Sequence, residues 1–497
     1  MQPNPRNYPL TFIKDNSTVI VGTMLVYLRG MILMPIIIKT AGVAVYGGFV
    51  LLMSILGIIF GVSSFGVGFK AKRLLPSAAL MAGRGELFYR QFLFQLFSIL
   101  FLSFAFMLLN RQIGVSIFKN EVNYSAGIIP LYLFCYLLYS QASDYFRYTS
   151  RINAMTIATV IFPYLNIGIV LLFLFFYKSL NINFLILSET FSALLVAMPC
   201  FWTIFSEIGV RALPYPVKDI VDDIRLGFPL VLGFIVDFVL AGSDRYFIAF
   251  YLSVAAVGYY NPAYAIGSLI IFVPKAMGTV LPQLMSKASD QKSEYEAQRM
   301  MDYAIKIFLL LAIPFIFASM VTAKAVLTFL ANADVAQRSF LVVPIVALGT
   351  LFYGLNLILS NALFVHMKTK EMFKMNLLAS GFNMLANLIL LYFIRDILVA
   401  AITTFLSYLI AFIYINRTVG KIWVVDYQIE VVAKSVLASL LMTAVLCLIS
   451  AQSGQADTII TLIGQLVLGT FVYLAGIFGL RVFSIKELEF VKRFLVR

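Results

Sequence analysis

Charge is scarce in this 497-residue chain: Asp, Glu, Lys and Arg together make up 12% of it, about half of the roughly 25% usual in soluble domains. That shortage excludes a soluble globular protein. Nor is there a polar half, because hydrophobic residues reach 62% and mean hydropathy is +0.95, which excludes both a soluble enzyme on one anchor and a disordered chain. Cysteine and histidine are almost missing. The three cysteines, Cys135, Cys200 and Cys447, all fall in apolar runs and give neither a disulfide framework nor a metal-ligand spacing. The one histidine, His366, ends an apolar run beside Lys368 and Lys370, an interfacial position. No nucleotide-binding loop, zinc signature or nucleophile motif is present, so no cofactor or metal is expected and no means of hydrolysing ATP is visible. A short apolar region followed by a small-residue cleavage site is also lacking at the N-terminus, so the first apolar run is expected to be a retained span.

What the chain has instead is apolar runs of about 20 residues, the length that crosses a bilayer as a helix. Fourteen are expected to span: Ser17 to Ile38, Tyr46 to Phe69, Gln91 to Leu109, Gly127 to Tyr145, Met155 to Tyr177, Asn183 to Phe205, Leu226 to Phe247, Val257 to Leu281, Tyr303 to Met320, Phe340 to Val365, Met375 to Phe393, Ile397 to Ile415, Ser435 to Ala451 and Ile459 to Leu480. The fold class is therefore an all-α polytopic membrane protein rather than a β-barrel, whose strands would be short and alternating. Ser206 to Arg225, with Pro214, Pro216 and a run of charges, reads as a linker between two six-helix halves. The expected organisation is an N-terminal lobe over 1–215, a second over 216–423 and a C-terminal helix pair with a tail over 424–497.

The 37 Lys and Arg exceed the 23 Asp and Glu by +14. In a membrane protein such an excess reflects the positive-inside rule, not nucleic acid. With the N-terminus in the cytoplasm, the outer segments hold only Lys39, Arg111, Lys119, Lys178, Lys324, Arg338 and Arg395, against 26 cations on the inner ones. Both termini are thus expected to be cytoplasmic. No outer loop exceeds about 20 residues, so the machinery lies in the membrane.

A charge at bilayer depth costs about 2.5–3.5 kcal/mol on insertion scales and needs a partner or a wet cavity. Arg29 in the first span, Asp237, Asp244 and Arg245 in the seventh, and Lys275 in the eighth are such charges. Arg29 has no acidic residue in its own run and reads as facing a cavity, with Glu189 of the sixth span as a partner, a proton carrier or a plain interfacial residue. Asp237 and Asp244, seven apart, return to one helical face, so Arg245 either braces them or meets substrate. Lys275 either snorkels to the interface or joins the site. Arg29, Arg245 and Lys275 are the expected substrate ligands, and Asp237, Asp244 and Glu189 the candidates for coupling or ion pairing. Tyr259, Tyr260 and Tyr264 read as an aromatic belt or a sugar-stacking surface, and the glycines from Gly61 to Gly68 as a helix-packing surface.

The halves repeat. Gly42-Val43-Ala44-Val45-Tyr46-Gly47 after the first span and Ser253-Val254-Ala255-Ala256-Val257-Gly258 after the seventh stand 211 residues apart, and each leads through an apolar stretch to a Leu-Pro pair, Leu75-Pro76 and Leu281-Pro282. Parallel repeats of this kind place a substrate site at their interface.

Those stretches, with Phe65-Gly66-Val67-Gly68-Phe69-Lys70-Ala71-Lys72-Arg73-Leu74-Leu75-Pro76, Ser243-Asp244-Arg245-Tyr246-Phe247-Ile248, Val257-Gly258-Tyr259-Tyr260, Pro282 and Pro314, resemble the Wzx-type flippases of the multidrug/oligosaccharidyl-lipid/polysaccharide exporter superfamily. The resemblance covers roughly Ser17 to Leu480 and rests on motif order and spacing. It implies a V-shaped pair of lobes in a bacterial cytoplasmic membrane that moves a polyprenyl-diphosphate-linked oligosaccharide outward by alternating access. It also implies membrane lipids, a polysaccharide polymerase and a chain-length regulator as partners. Fourteen spans exceed the twelve of many relatives, and the extra pair resembles lipid II flippases. Their pattern of cavity arginines is not matched here, so a polysaccharide repeat unit is favoured over a peptidoglycan precursor. A drug antiporter of the same superfamily would want an acidic cavity, which makes Arg29 awkward, and a polymerase or ligase would want a large outer loop.

Overall fold

In the computed structural model, the described residues are 8–68, 81–149, 151–209, 217–290, 293–453 and 459–482. Each expected span is helical over most of its described length; the second leaves the helix at Ser64, and its last residue, Phe69, lies outside the described residues. In chain order these are α1 (Tyr8–Ala41), α2 (Val43–Ser63), α3 (Met81–Ser116), α4 (Ile128–Tyr148), α5 (Ile152–Tyr177), α6 (Ile182–Ile208), α7 (Val217–Gly242), α8 (Asp244–Tyr251), α9 (Val254–Gly267), α10 (Phe272–Asp290), α11 (Glu294–Leu330), α12 (Ala333–Ser339), α13 (Val342–Val365), α14 (Thr369–Phe393), α15 (Ile397–Val419), α16 (Ile429–Ser453) and α17 (Ile459–Gly479). Among the described residues no strand occurs. Thirteen helical segments are long and apolar enough to cross a membrane, and the protein is a multi-pass membrane protein. The expected span outside these thirteen is the fourth, α4, which has the length but carries Gln141, Ser140, Ser143 and Asp144 in its second half. That polar content lowers its hydropathy.

Two expected helices are interrupted. The seventh span stops as α7 at Gly242 and resumes as α8 at Asp244. The eighth breaks into α9, a 3-10 turn at Leu269–Ile271, and α10. The second break has a cause in Pro274: it has no N–H to give the Ile270 carbonyl, so it is accommodated in the first turn of a new helix. Lys275 is consequently in the first turn of α10, not near the end of one long helix.

Contacts group the chain as Met1–Gly258 and Tyr259–Arg497. Within the first unit α4 packs on α6, α1 on α5, α5 on α6, α3 on α4, and α2 on α3 and α7. Aromatic side chains fill this core. Phe88, Tyr145, Phe162 and Phe201 are all buried in it. Within the second unit α13 is the centre, packed by α15, α11 and α10, with α14 on α15.

The C-terminal pair, α16 and α17, docks on α11 through Leu310, Met442, Leu446, Tyr473 and Ile477. Proline chemistry fixes that dock. Pro314 cannot donate to the Leu310 carbonyl one turn earlier, and the Tyr473 hydroxyl of α17 donates to it instead at 2.7 Å while lying 2.9 Å from Ser435 Oγ of α16. Helix starts are capped where the sequence offers a short polar side chain. Asn181, Asn332 and Asp396 accept from backbone N–H groups at the starts of α6, α12 and α15.

Candidate functional site

The turn after α2 sets up the first feature. Gly66 adopts φ +77, and a Cβ there would lie 2.2 Å from the Gly227 backbone of α7. Only glycine permits both the left-handed turn and that approach. Gly61 likewise lets the Phe234 ring sit where a Cβ would be, at 2.2 Å. The glycine run is thus a packing surface, as its composition implies.

Between the end of α2, the start of α3, the end of α4 and the middle of α7 lies a cavity of about 310 Å³. All its walls belong to the first unit. Its polar lining is Ser64, Gln91, Gln95, Ser140, Asp144 and Tyr148, with Phe60, Phe234, Leu230 and Val231 as the apolar part. No cation lines it among the described residues. Gln95 is held on both sides, accepting from the Gln141 amide at 2.7 Å and donating to Ser63 Oγ at 3.1 Å. Gln91 is buried beside Gly68, whose missing Cβ leaves room for the amide. By the cation distribution, this end of the helices is the expected cytoplasmic one.

A second cluster, on α1, α5 and α6, is built around Arg29. Its Nη2 donates to Glu189 of α6 in an ion pair and to Asn166 Oδ1 of α5 at 3.0 Å. Asn166 in turn donates to Ser188 at 2.9 Å. The Glu189 side chain is 3% exposed and that of Arg29 22%. The guanidinium lies 5.9 Å from the centroid of Phe162, and its Nε is buried without a partner. An aromatic series connects the two features: Phe162 packs against Tyr136 and Tyr139, and Tyr136 meets Phe60 of the cavity edge-on at 4.7 Å. Tyr139 and Phe162 are buried, whereas Tyr136 and Phe60 are half-exposed.

The other expected residues disperse. Asp237 is exposed on α7, while Asp244, 2% exposed, opens α8. The single polar face expected of one continuous helix is therefore not formed. Arg245 is half-buried, with Nη1 3.9 Å from the position a Cβ of Gly242 would take. The next residue, Tyr246, donates to Ser54 of α2 at 2.9 Å. Lys275 is exposed in the second unit. Tyr260 is fully buried, whereas Tyr259 is half-buried and donates to the exposed Asp334 at 2.6 Å.

Reading charge alone missed several residues. Gln91 and Gln95 are four apart, as are Ser140, Asp144 and Tyr148. Polar residues at helical spacing at the ends of apolar runs were the available signal. Lys306 of α11 is the buried cation among the described residues, at 7%. In the second unit Asn383, Asn387, Thr403 and Thr404 form a closed hydrogen-bonded cluster at no more than 1% exposure.

The two copies of the sequence repeat meet each other. A Cβ on Gly47 would lie 2.3 Å from the Val254 carbonyl, and one on Gly258 would lie 2.1 Å from the Val43 carbonyl. Val43 corresponds to Val254 and Gly47 to Gly258 at the 211-residue offset, so the contact is reciprocal. Backbones this close require glycine at both places.

Comparison with known proteins agrees with that architecture. Residues 229–389 match the MatE family. Lipid II flippase MurJ in an inward closed conformation superposes with TM-score 0.71 at 17% identity, over 96% of this chain and 99% of that one. The chain has the fold of the MOP-superfamily transporters. An inward-facing multidrug resistance MATE family transporter of the MOP superfamily gives TM-score 0.61 at 13% identity, over 81% of this chain and 94% of its own. A MOP superfamily transporter from Pyrococcus furiosus, described by a binding pocket of reverse polarity, gives 0.53 at 15%, over 82% and 95%. No curated protein matches the sequence.

Proposed function

We propose that this protein is a flippase that carries a polyprenyl-diphosphate-linked oligosaccharide repeat unit from the inner to the outer leaflet of a bacterial cytoplasmic membrane. The observation that carries the reading is the cavity of about 310 Å³ at the expected cytoplasmic end, lined by amides, hydroxyls, one carboxylate and aromatic rings. Sugar hydroxyls need donors and acceptors without a strong field, and their C–H faces need rings. A lipophilic drug would want a largely apolar pocket. The near end-to-end likeness to MurJ, against 81% coverage by a MATE transporter, supports a lipid-linked cargo.

Arg29 has a modified role in this scheme. Its charge is matched by Glu189, so it contributes an oriented N–H donor rather than a bare positive charge. Glu189 and Asn166 hold Nη2 and Nε is buried, which leaves Nη1 for a cargo oxygen. Arg245 is the proposed cation for the diphosphate, with Lys275 in a minor, dispensable role and Asp237 and Asp244 as the candidates for pairing or coupling. The membrane potential assists the outward step. One charge crossing 100 mV is worth about 2.3 kcal/mol, so two uncompensated phosphate charges gain roughly 4–5 kcal/mol. A polymerase and a chain-length regulator are the proposed consumers of the exported unit.

A MATE-type multidrug transporter is the second reading, favoured by the match over residues 229–389. Complementation separates them. Gln91→Leu with Gln95→Leu is expected to abolish surface glycan in a flippase-deficient strain and leave dye efflux at background with or without the changes. Restored dye efflux without glycan export would replace the flippase reading with the multidrug one.

A further inference from the structure

A second cavity lies wholly within the second unit. It occupies about 910 Å³ between the start of α14 and the end of α15. Lys368, Lys370, Arg417 and Lys421 line it, and its only carboxylate, Glu371, is already engaged by Lys374 at 2.8 Å and by the Tyr414 hydroxyl at 2.6 Å. Lys368, Lys370 and Arg417 have no carboxylate partner among the described residues. The result is a strong local excess of positive charge around an open space.

Two further facts give that charge a direction. Lys368 is the N-cap of α14 and the first residues of that helix, Thr369, Lys370 and Glu371, line the cavity, so the positive end of the helix dipole adds to the charge there. Further along α14 and α15 the cavity wall is aliphatic: Leu378, Ile410 and Ile413 line it, Leu378 is 51% exposed, and Met367 is 89% exposed. A wall of exposed alkyl groups below a ring of cations, at the expected cytoplasmic surface, matches a molecule with an anionic head and apolar tails. A free inorganic anion has no use for the aliphatic wall.

We infer that this cleft is a specific site for an anionic phospholipid of the inner leaflet, its phosphate held by Lys368, Lys370, Arg417 and Lys421 and its acyl chains lying along Leu378, Ile410 and Ile413. The site is built from the second unit alone and holds for either reading of the function. It ties the α14–α15 end of the second unit to the lipid composition of the membrane.

The test is retention of phosphatidylglycerol, as a minority lipid in phosphatidylcholine nanodiscs, by the full-length protein, read by native mass spectrometry after delipidation. Each neutralised cation is expected to lower retention about fivefold, since one basic residue near an anionic surface is worth about 1 kcal/mol. The variant with Lys368→Gln, Lys370→Gln, Arg417→Gln and Lys421→Gln is then expected to lose bound phosphatidylglycerol entirely while retaining phosphatidylcholine. The single changes Lys370→Gln and Arg417→Gln keep the test valid where the fourfold variant fails to fold. A control variant neutralises Arg84, Lys287, Lys292 and Arg481 elsewhere on the expected cytoplasmic side, and full retention is expected of it. Equal loss in the control would overturn the site in favour of diffuse surface charge. Displacement by millimolar inorganic phosphate would make the ligand a free anion. Preferential displacement by a polyprenyl diphosphate would make it the cargo.

Discussion

At the residue scale the ion pair of Arg29 and Glu189 is the sharpest handle. Removing Arg29 leaves a carboxylate at 3% exposure without its partner, a change that costs about 3–5 kcal/mol when a buried pair is broken from one side. Arg29→Ala is therefore expected to lower the melting temperature in detergent and to abolish transport. Adding Glu189→Gln removes the orphaned charge and is expected to restore most of the stability without restoring transport. Recovery of transport in the double variant would reduce the pair to a structural brace. Lys275→Ala is expected to be mild in the same assay, because Lys275 is exposed and outside the Arg29 cluster. Arg29 was legible in the sequence because a guanidinium halfway along an apolar run demands an explanation, whereas Glu189 could be read there as partner, proton carrier or interfacial residue, and only the structure pairs the two. Gln91, Gln95, Ser140 and Asn166 were not, since an uncharged polar residue costs far less at bilayer depth and stands out far less from its neighbours.

At the element scale two contacts fix how helices meet. The Tyr473 hydroxyl occupies the carbonyl that Pro314 leaves free, so Tyr473→Phe leaves that carbonyl unsatisfied, at a cost of about 1–3 kcal/mol. Looser docking of α16 and α17 is the expected result, measured as faster hydrogen exchange in both helices. Pro314→Ala restores the N–H and is expected to blunt the effect of Tyr473→Phe. Equal effects in the two backgrounds would mean the hydroxyl is not compensating for the proline. The second contact is the reciprocal one between Val43–Gly47 and Val254–Gly258. Gly258→Ala places a methyl against the Val43 carbonyl at 2.1 Å and is expected to part the two segments. Faster labelling of a Val254→Cys thiol by a membrane-impermeant maleimide reports it, and unchanged labelling would show that the backbones yield without parting. The repeat itself was visible in the sequence, but its self-contact was not, because an offset gives correspondence and no distance. The break before α10 was hidden for a related reason: hydropathy stays high through Leu269–Ile271, and only Pro274 hints that the hydrogen-bond ladder restarts.

At the scale of the whole molecule, composition alone required a bundle of spanning helices. What composition cannot supply is cargo, since the same fold accompanies a lipid II flippase and multidrug transporters at 17% identity or less. The cargo must be argued from the chemistry of the cavity at the end of α2. Its lining of amides and hydroxyls predicts a glycan, and the two phosphates of a lipid-linked glycan predict a response to voltage. Proteoliposomes containing a fluorescent polyprenyl-diphosphate oligosaccharide, with potential and ion gradients clamped separately, measure both together. The account predicts protein-dependent movement of the glycan between leaflets, faster when the potential favours outward passage of negative charge and lost in the Gln91→Leu, Gln95→Leu variant. No leaflet exchange above that of protein-free vesicles, at any potential or ion gradient, would contradict it.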